Sequence, residues 1–326
     1  LTLDARVQEA AEDALAAAVG EHNADSAGAI VMDPRDGAVI AMANYPNFDN
    51  NDFGNAPDDH RRNRILTDPL ETGSVAKLFT AAILLDKGYI MPDTTIDCEN
   101  GFAVVDGRRL HDSPGHYLGI ATFREALRWS SNIGLVKSAQ VLENDEWYAM
   151  LRRLGFGAPT GVDLPGEGSG ILYPVHKWTK FSRTSLPMGY EMALTPLQIG
   201  AAISSIINGG NYYEPYVVAE IHDSRGNVLK THEAIPERRV IRPTTSAIMR
   251  DLMEDIVVHG TGTKAQVPGY RVGGKTGTTR KSSVFTHREY IASFAGALPI
   301  NDPRVVIYVY VDNPRDEYYA SQVAAP

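Results

Sequence analysis

The chain is nearly devoid of cysteine. Cys98 is the only one in 326 residues, which excludes an internal disulfide framework and a cysteine-based metal cluster. It stands in Thr95-Ile96-Asp97-Cys98-Glu99-Asn100, where acidic neighbours disfavour the thiolate that a nucleophile needs. No apolar run approaches the roughly 18 to 20 residues that span a bilayer. Positive charge is scarce too: 31 Lys and Arg against 40 Asp and Glu leave a formal net charge of -9, which argues against nucleic acid or anionic lipid as the main partner. His-Glu-x-x-His and Gly-x-Ser-x-Gly do not occur, and Gly260-Thr261-Gly262-Thr263 lacks phosphate-loop spacing and reads as a turn. A Ser-His-Asp hydrolase is therefore disfavoured, and no metal or cofactor is expected. His111-Asp112 and His116 are close together, but without a metal motif the histidines read as solvated loop residues.

What remains is an ordinary globular composition, 43% hydrophobic and 22% charged, of a length that suits roughly two domains or one large composite. Val7, Ala11, Ala14, Leu15 and Ala18 fall at helical spacing over residues 5–19, with Gly20 as the expected stop. Residues 27–32 and 38–43 flank Pro34-Arg35-Asp36-Gly37 and predict a β-hairpin. Residues 291–298 and 305–311 are two further strands, and the segment carrying Lys275 makes about five. From about 74 to 210 the pattern is mostly helical. Thr122-Phe123-Arg124-Glu125 is a capping box whose helix runs into Ser130, and 194–207 is an apolar stretch beginning at a Thr-Pro. Strands at both ends with helices between predict an α/β (α+β) chain with one sheet built from distant segments. Its sheet subdomain is expected over about 1–70 and 240–326, with an all-helical subdomain inserted over about 71–239.

Three short motifs follow one another: Ser74-Val75-Ala76-Lys77, Ser130-Ser131-Asn132 and Lys275-Thr276-Gly277-Thr278. Ser74 and Lys77 are three apart and share a helix face, so their side chains can touch. The helix they open has no other charge before Asp86, so it is expected to be buried and Lys77 desolvated. A serine hydroxyl needs a nearby base. A lysine serves at neutral pH only if its ordinary pKa of about 10.4 is lowered by about 3, roughly 4 kcal/mol in favour of the neutral form. Burial and a second cation both act that way, and Lys275 is the natural second cation. Ser130 and Asn132, the latter expected in a loop, offer a hydroxyl to relay a proton and an amide to hold a substrate amide; taken alone, Ser-Ser-Asn is more often a turn or helix cap. Lys275 leads an edge strand that can pair with an extended peptide, and Gly277 would let a ligand lie against the backbone.

This trio, with Ser-x-Asn for Ser-Asp-Asn, resembles that of penicillin-binding proteins and class A β-lactamases. Over nearly its whole length the chain is similar to the transpeptidase domain of class B penicillin-binding proteins, most of all the cell-division type that cross-links septal peptidoglycan. The likeness is carried by Ala41-Met42-Ala43-Asn44-Tyr45-Pro46, Gly189-Tyr190 with Thr195-Pro196-Leu197-Gln198, Asn208-Gly209-Gly210 and the ending Tyr318-Tyr319 to Ala325-Pro326. Thr72 and Glu191 depart from the family's usual proline and glycine.

The resemblance implies a penicillin-binding-protein/β-lactamase-like fold with a five-stranded, mainly antiparallel sheet, and a single transpeptidase domain over 1–326. It implies Ser74 as acylated nucleophile, Lys77 as its base, and Ser130 with Lys275 as proton shuttle. Asn132 would hold the donor amide, while Thr276, Gly277 and Thr278 would bind the substrate end that carries the carboxylate. The backbone N–H groups of Ser74 and Thr278 would form the oxyanion hole. Implied partners are peptidoglycan stem peptides, β-lactam antibiotics, and a membrane glycan polymerase with division proteins. The implied location is the extracytoplasmic, periplasmic face of the membrane, through an N-terminal helix and pedestal module that this sequence does not include. Two alternatives stay open: a β-lactamase, with Glu167 the carboxylate to weigh as water base, and a non-catalytic β-lactam sensor. The loop 279–289 is expected to cover the site.

Overall fold

Short runs of small and branched apolar side chains near the two chain ends build a sheet covered on both faces. The structure, a computed structural model, describes residues 1–281 and 289–326. Helix α1 (Ala5–His22) leads into β1 (Ser26–Met32) and β2 (Val39–Tyr45), and the far end of the chain supplies β3 (Gly273–Arg280), β4 (Tyr290–Leu298) and β5 (Val305–Asp312). The order is β3-β4-β5-β1-β2 with every neighbouring pair antiparallel, the five-stranded sheet expected from the sequence. β1 and β5 pair from Ser26 opposite Asp312 to Met32 opposite Val306, so the two ends of the chain close the sheet at its centre. Alternate residues serve opposite layers: Ala27 and Ala29 pack with Leu15 of α1, Ile30 and Met32 with the helices beyond the other face. Every position of β1 is buried, which is why its sequence reads as a continuous apolar run.

The helical layer holds α2 (Ala76–Lys87), α3 (Phe123–Arg128), α4 (Asn132–Ala139), α5 (Pro196–Ile207) and α6 (Pro243–His259). All of α2 from Ala76 to Leu85 is buried, as expected of a helix apolar on every side. The Thr122–Glu125 capping box opens α3, and a second box, Thr195 with Gln198, opens α5 with Pro196 in its first turn. No helix among the described residues is long and apolar enough to cross a membrane.

Two expectations are corrected. Gly20 does not stop α1, which runs on to His22 and ends at Asn23 in the left-handed region, φ 49°; glycine inside a helix costs only about 1 kcal/mol. The insert is not all helical either. It carries five two-stranded ribbons: Thr95–Asp97 with Ile120–Thr122, Phe102–Val105 with Arg108–His111, Ile171–Leu172 with Met192–Ala193, Asn211–Tyr212 with Arg238–Arg239, and Glu220–His222 with Val228–Thr231. The second is joined by Asp106-Gly107, both at positive φ (50° and 78°), the two-residue turn whose twist matches a hairpin.

Candidate active site

Ser74 sits in a tight 3-10 turn, Gly73–Val75, that runs straight into α2. The turn lies against β3 so closely that only glycine fits at two positions. A Cβ on Gly73, φ 51°, would stand 2.2 Å from Thr279 Oγ1, and one on Gly277 would meet Ser293 Oγ at 2.7 Å and the Thr72 carbonyl at 2.9 Å. Gly277 therefore admits the nucleophile's own turn rather than a ligand, which corrects the sequence reading. β3 is an edge strand, as expected. Its Thr276 carbonyl faces the free edge, where Lys275 Nζ donates to it at 2.9 Å. Residues two apart on a strand present their backbone groups to the same side, so the Thr278 N–H faces that edge too.

The two motif lysines are wholly buried, each with 0% exposure, and they converge on one hydroxyl. Ser130 Oγ lies 3.1 Å from Lys77 Nζ and 2.9 Å from Lys275 Nζ. Lys77 Nζ also donates to the Ser130 carbonyl at 2.5 Å and to Asn132 Oδ1 at 2.7 Å. None of its hydrogen bonds among the described residues goes to Ser74, so the expected pairing with the nucleophile is not made by a hydrogen bond. Burial lowers the Lys77 pKa from 10.5 to about 7, against an opposing pull from Asp112. Burial, and then the charge of Lys77, take Lys275 well below its ordinary value. That repulsion is mutual, so each charged lysine disfavours the charge of the other, and a pair so close holds one proton far more readily than two. A neutral amine keeps two N–H donors and gains a lone pair. The Ser130 carbonyl and Asn132 Oδ1 match the two donors, and the lone pair is left for a hydroxyl proton.

The second motif is held by a residue that the sequence reading set aside. Asp112, 5% exposed, accepts from Ser131 Oγ at 2.7 Å and from the backbone N–H groups of Asn132 at 2.6 Å and Ile133 at 3.1 Å. Those amides are orphan donors at the start of α4, so Asn132 is the first residue of a helix and not part of a loop. Ser131 caps it, Oγ accepting the Gly134 N–H at 2.9 Å, which leaves the Ser130 hydroxyl to the lysines. Ser130 is in the left-handed region, φ 58°, a conformation costing roughly 1–2 kcal/mol for a residue with a side chain. Asn132 Nδ2 donates to the His111 carbonyl at 2.7 Å, fixing the amide with one N–H still available.

Ser74, Ser130, Thr276 and Thr278 line one cleft of about 480 Å³. Thr276 Oγ1 and Thr261 Oγ1 are hydrogen-bonded at 3.1 Å, so the Gly260–Thr263 turn, read as incidental, is part of the wall. His116 packs on Trp129 with ring centroids 5.1 Å apart, and both reach the cleft; nothing in the local sequence marks them. No Asp or Glu is among the described residues lining it, and residues 282–288 contain none in sequence. Glu167 is spent elsewhere, its carboxylate accepting the N–H groups of Thr160 at 2.6 Å and Gly161 at 3.2 Å. Cys98 is buried, and burial pushes its thiol up. Of the loop expected to cover the site, residues 279 and 280 belong to β3 and 282–288 lie outside the described residues.

A family model for the penicillin binding protein transpeptidase domain matches residues 27–326. Stage V sporulation protein D of Bacillus subtilis is 35% identical over 333 residues, an alignment covering 100% of this chain and 51% of that protein. Among solved structures, the TP domain of penicillin-binding protein 3 from Burkholderia pseudomallei matches with a TM-score of 0.86 at 32% identity, covering 100% of this chain and 92% of that one. Penicillin-binding protein 3 from Mycobacterium tuberculosis, complexed with aztreonam, matches with a TM-score of 0.91 at 30% identity, covering 99% and 76%. The chain spans about half the length of the curated relatives it matches. With sequence and fold agreeing from end to end, the chain belongs to the penicillin-binding protein transpeptidase domain family.

Proposed function

We propose that the chain is the catalytic domain of a serine D,D-transpeptidase that cross-links peptidoglycan stem peptides through an acyl-enzyme on Ser74 and is acylated by β-lactams. The observation that carries this reading is the pair of buried lysines, Lys77 and Lys275, on the Ser130 hydroxyl in the cleft that Ser74 lines. Neutral Lys77 takes the Ser74 proton as Oγ attacks the penultimate carbonyl of the donor. Substrate entry redirects Lys77 toward Ser74, since catalytic hydrogen bonds commonly tighten only once substrate is bound. The N–H groups of Ser74 and Thr278 receive the developing oxyanion, where one such donor is typically worth about 10²–10³ in rate. As the C–N bond breaks, Ser130 passes its proton to the leaving D-alanine nitrogen and is reprotonated from the lysine pair. Asn132 holds the donor amide, and Thr276 and Thr278, on the strand whose Gly277 seats the Ser74 turn, bind the terminal carboxylate. An acceptor amine then displaces Ser74 and forms the cross-link.

The carboxylate-free cleft favours this over a β-lactamase. Hydrolysis needs a base for water, and Glu167 is committed to backbone donors. Work at the septum, on the extracytoplasmic face of the membrane and beside a glycan polymerase and division proteins, is the setting we infer from the family.

The test is a cross-linking assay with a pentapeptide donor and a primary amine acceptor. It should release D-alanine and form the new amide in stoichiometric amounts, with Ser74→Ala inactive. Release of D-alanine with only hydrolysed donor would refute transfer, and absence of release would refute the whole reading.

A further inference from the structure

The chain end returns to the cleft. After β5, Tyr318 stacks on Tyr290 at 4.4 Å and Tyr319 on Tyr318 at 4.6 Å. Helix α7 (Ala320–Val323) follows, anchored by buried Ala320, Val323, Ala324 and Ala325. Its first N–H, that of Ala320, has no partner within so short a helix; it donates to Thr278 Oγ1 at 3.0 Å. Tyr319, Ser321 and Gln322 line the cleft beside Thr278 and Ser74.

We infer that the Ala320 N–H is a positioning group for Thr278: it occupies one lone pair of Oγ1, keeps the hydroxyl hydrogen off that side, and so biases Thr278 toward donating to a substrate carboxylate in the cleft. The inference rests on the proposed role of Thr278 and deepens it. A threonine hydroxyl has one hydrogen and two lone pairs, whereas a backbone N–H can only donate, so the direction of this bond is unambiguous. The Thr276–Thr261 contact joins two hydroxyls and can run either way. Among the described residues Thr278 Oγ1 donates to no protein group, so its hydrogen is available to an acceptor that enters the cleft. The two threonines therefore differ: both partners of the Thr276 hydroxyl contact can donate or accept, while Thr278, with one lone pair already taken by a fixed N–H, is biased toward donating to an acceptor. Donors with a free terminal carboxylate are favoured over esters and amides chiefly at Thr278.

The N–H can be deleted by replacing Ala320 with lactic acid, which puts an ester oxygen in its place and leaves the side chain unchanged. Acylation is then compared for a penicillin and for its methyl ester. Thr278→Val should lower kcat/KM for the acid by about tenfold or more, as expected for a hydrogen bond to a charged group, and leave the ester nearly unchanged. The Ala320→lactic acid variant should lower the acid by about three- to tenfold, spare the ester, and add nothing in combination with Thr278→Val, as coupled neighbours require. If Thr278→Val affects acid and ester alike, the carboxylate role of Thr278 fails and the inference with it. If Thr278→Val discriminates but the Ala320 variant does not, or lowers both substrates equally, the positioning role alone is overturned. Should the ester-backbone variant not fold, neutron diffraction of the unmodified domain decides: the Thr278 hydroxyl hydrogen must point into the cleft, and one directed at a protein acceptor refutes the inference.

Discussion

Lowering the pH during acylation tests the base most sharply. Lys77 has 0% exposure and its pKa is brought down to about 7, a preference of about 5 kcal/mol for the neutral form at 1.36 kcal/mol per pH unit. Only the neutral amine has a lone pair for the Ser74 proton. At pH 8 most molecules are competent and at pH 7 about half; well below 7 the competent fraction falls tenfold per pH unit, so the rate should drop about fiftyfold between pH 7 and pH 5. The measurement is the second-order rate of acylation by a fluorescent penicillin, followed by stopped flow from pH 5 to 9. One ascending limb with an apparent pKa near 7 is expected, belonging to the Lys77–Lys275 pair rather than to either residue alone. Asp112→Asn should move the limb to lower pH, since Asp112 is the charge that opposes the effect of burial. A flat profile over pH 5–9, or a limb near 10, would refute the mechanism.

Stability should carry the same signature. Between about pH 7 and 10.5 the unfolded chain holds a proton on Lys77 that the folded chain has released, so stability rises with pH in that window by up to about 1.4 kcal/mol per pH unit, and below it the group contributes no further slope. Urea unfolding between pH 7 and 9 should show a midpoint that rises with pH, with a shallower rise in Lys77→Met; an unchanged slope would count against a depressed Lys77. Gly277→Ala drives a Cβ into Ser293 Oγ and the Thr72 carbonyl and should cost about 1–3 kcal/mol in the same assay, with slower acylation because the Ser74 turn must move; wild-type stability would mean the nesting is loose. Thr261→Val removes the partner of Thr276 Oγ1 and should weaken acylation about two- to tenfold, the worth of one hydrogen bond; no change in kcat/KM would remove Thr261 from the site.

The features that were legible in the sequence are those set by local pattern. The capping boxes at Thr122 and Thr195, the apolar α2 behind Ser74, and the strands over 27–32 and 291–298 announce themselves because their periodicity is written in neighbouring residues. Lys77 was expected to be desolvated for the same reason, and it is. Long-range partners were not legible. Asp112 looks like any loop acid, yet it clamps three donors from Ser131, Asn132 and Ile133; only the packing of the Phe102–Val105 and Arg108–His111 hairpin against α4 brings it there. Thr261 and Ala320 reach the cleft through the ends of α6 and β5, distances no spacing rule encodes. The Asp106-Gly107 turn was a local signal that went unread.

The central claim is that Ser74 carries the acyl group. Intact-mass measurement after addition of a penicillin, followed by peptide mapping, tests it most directly. The account predicts a single adduct of the drug's full mass, confined to the peptide containing Ser74, persisting after excess drug is removed and absent in Ser74→Ala. An adduct on another residue, an adduct retained in Ser74→Ala, or rapid loss of the label as hydrolysed drug would contradict it.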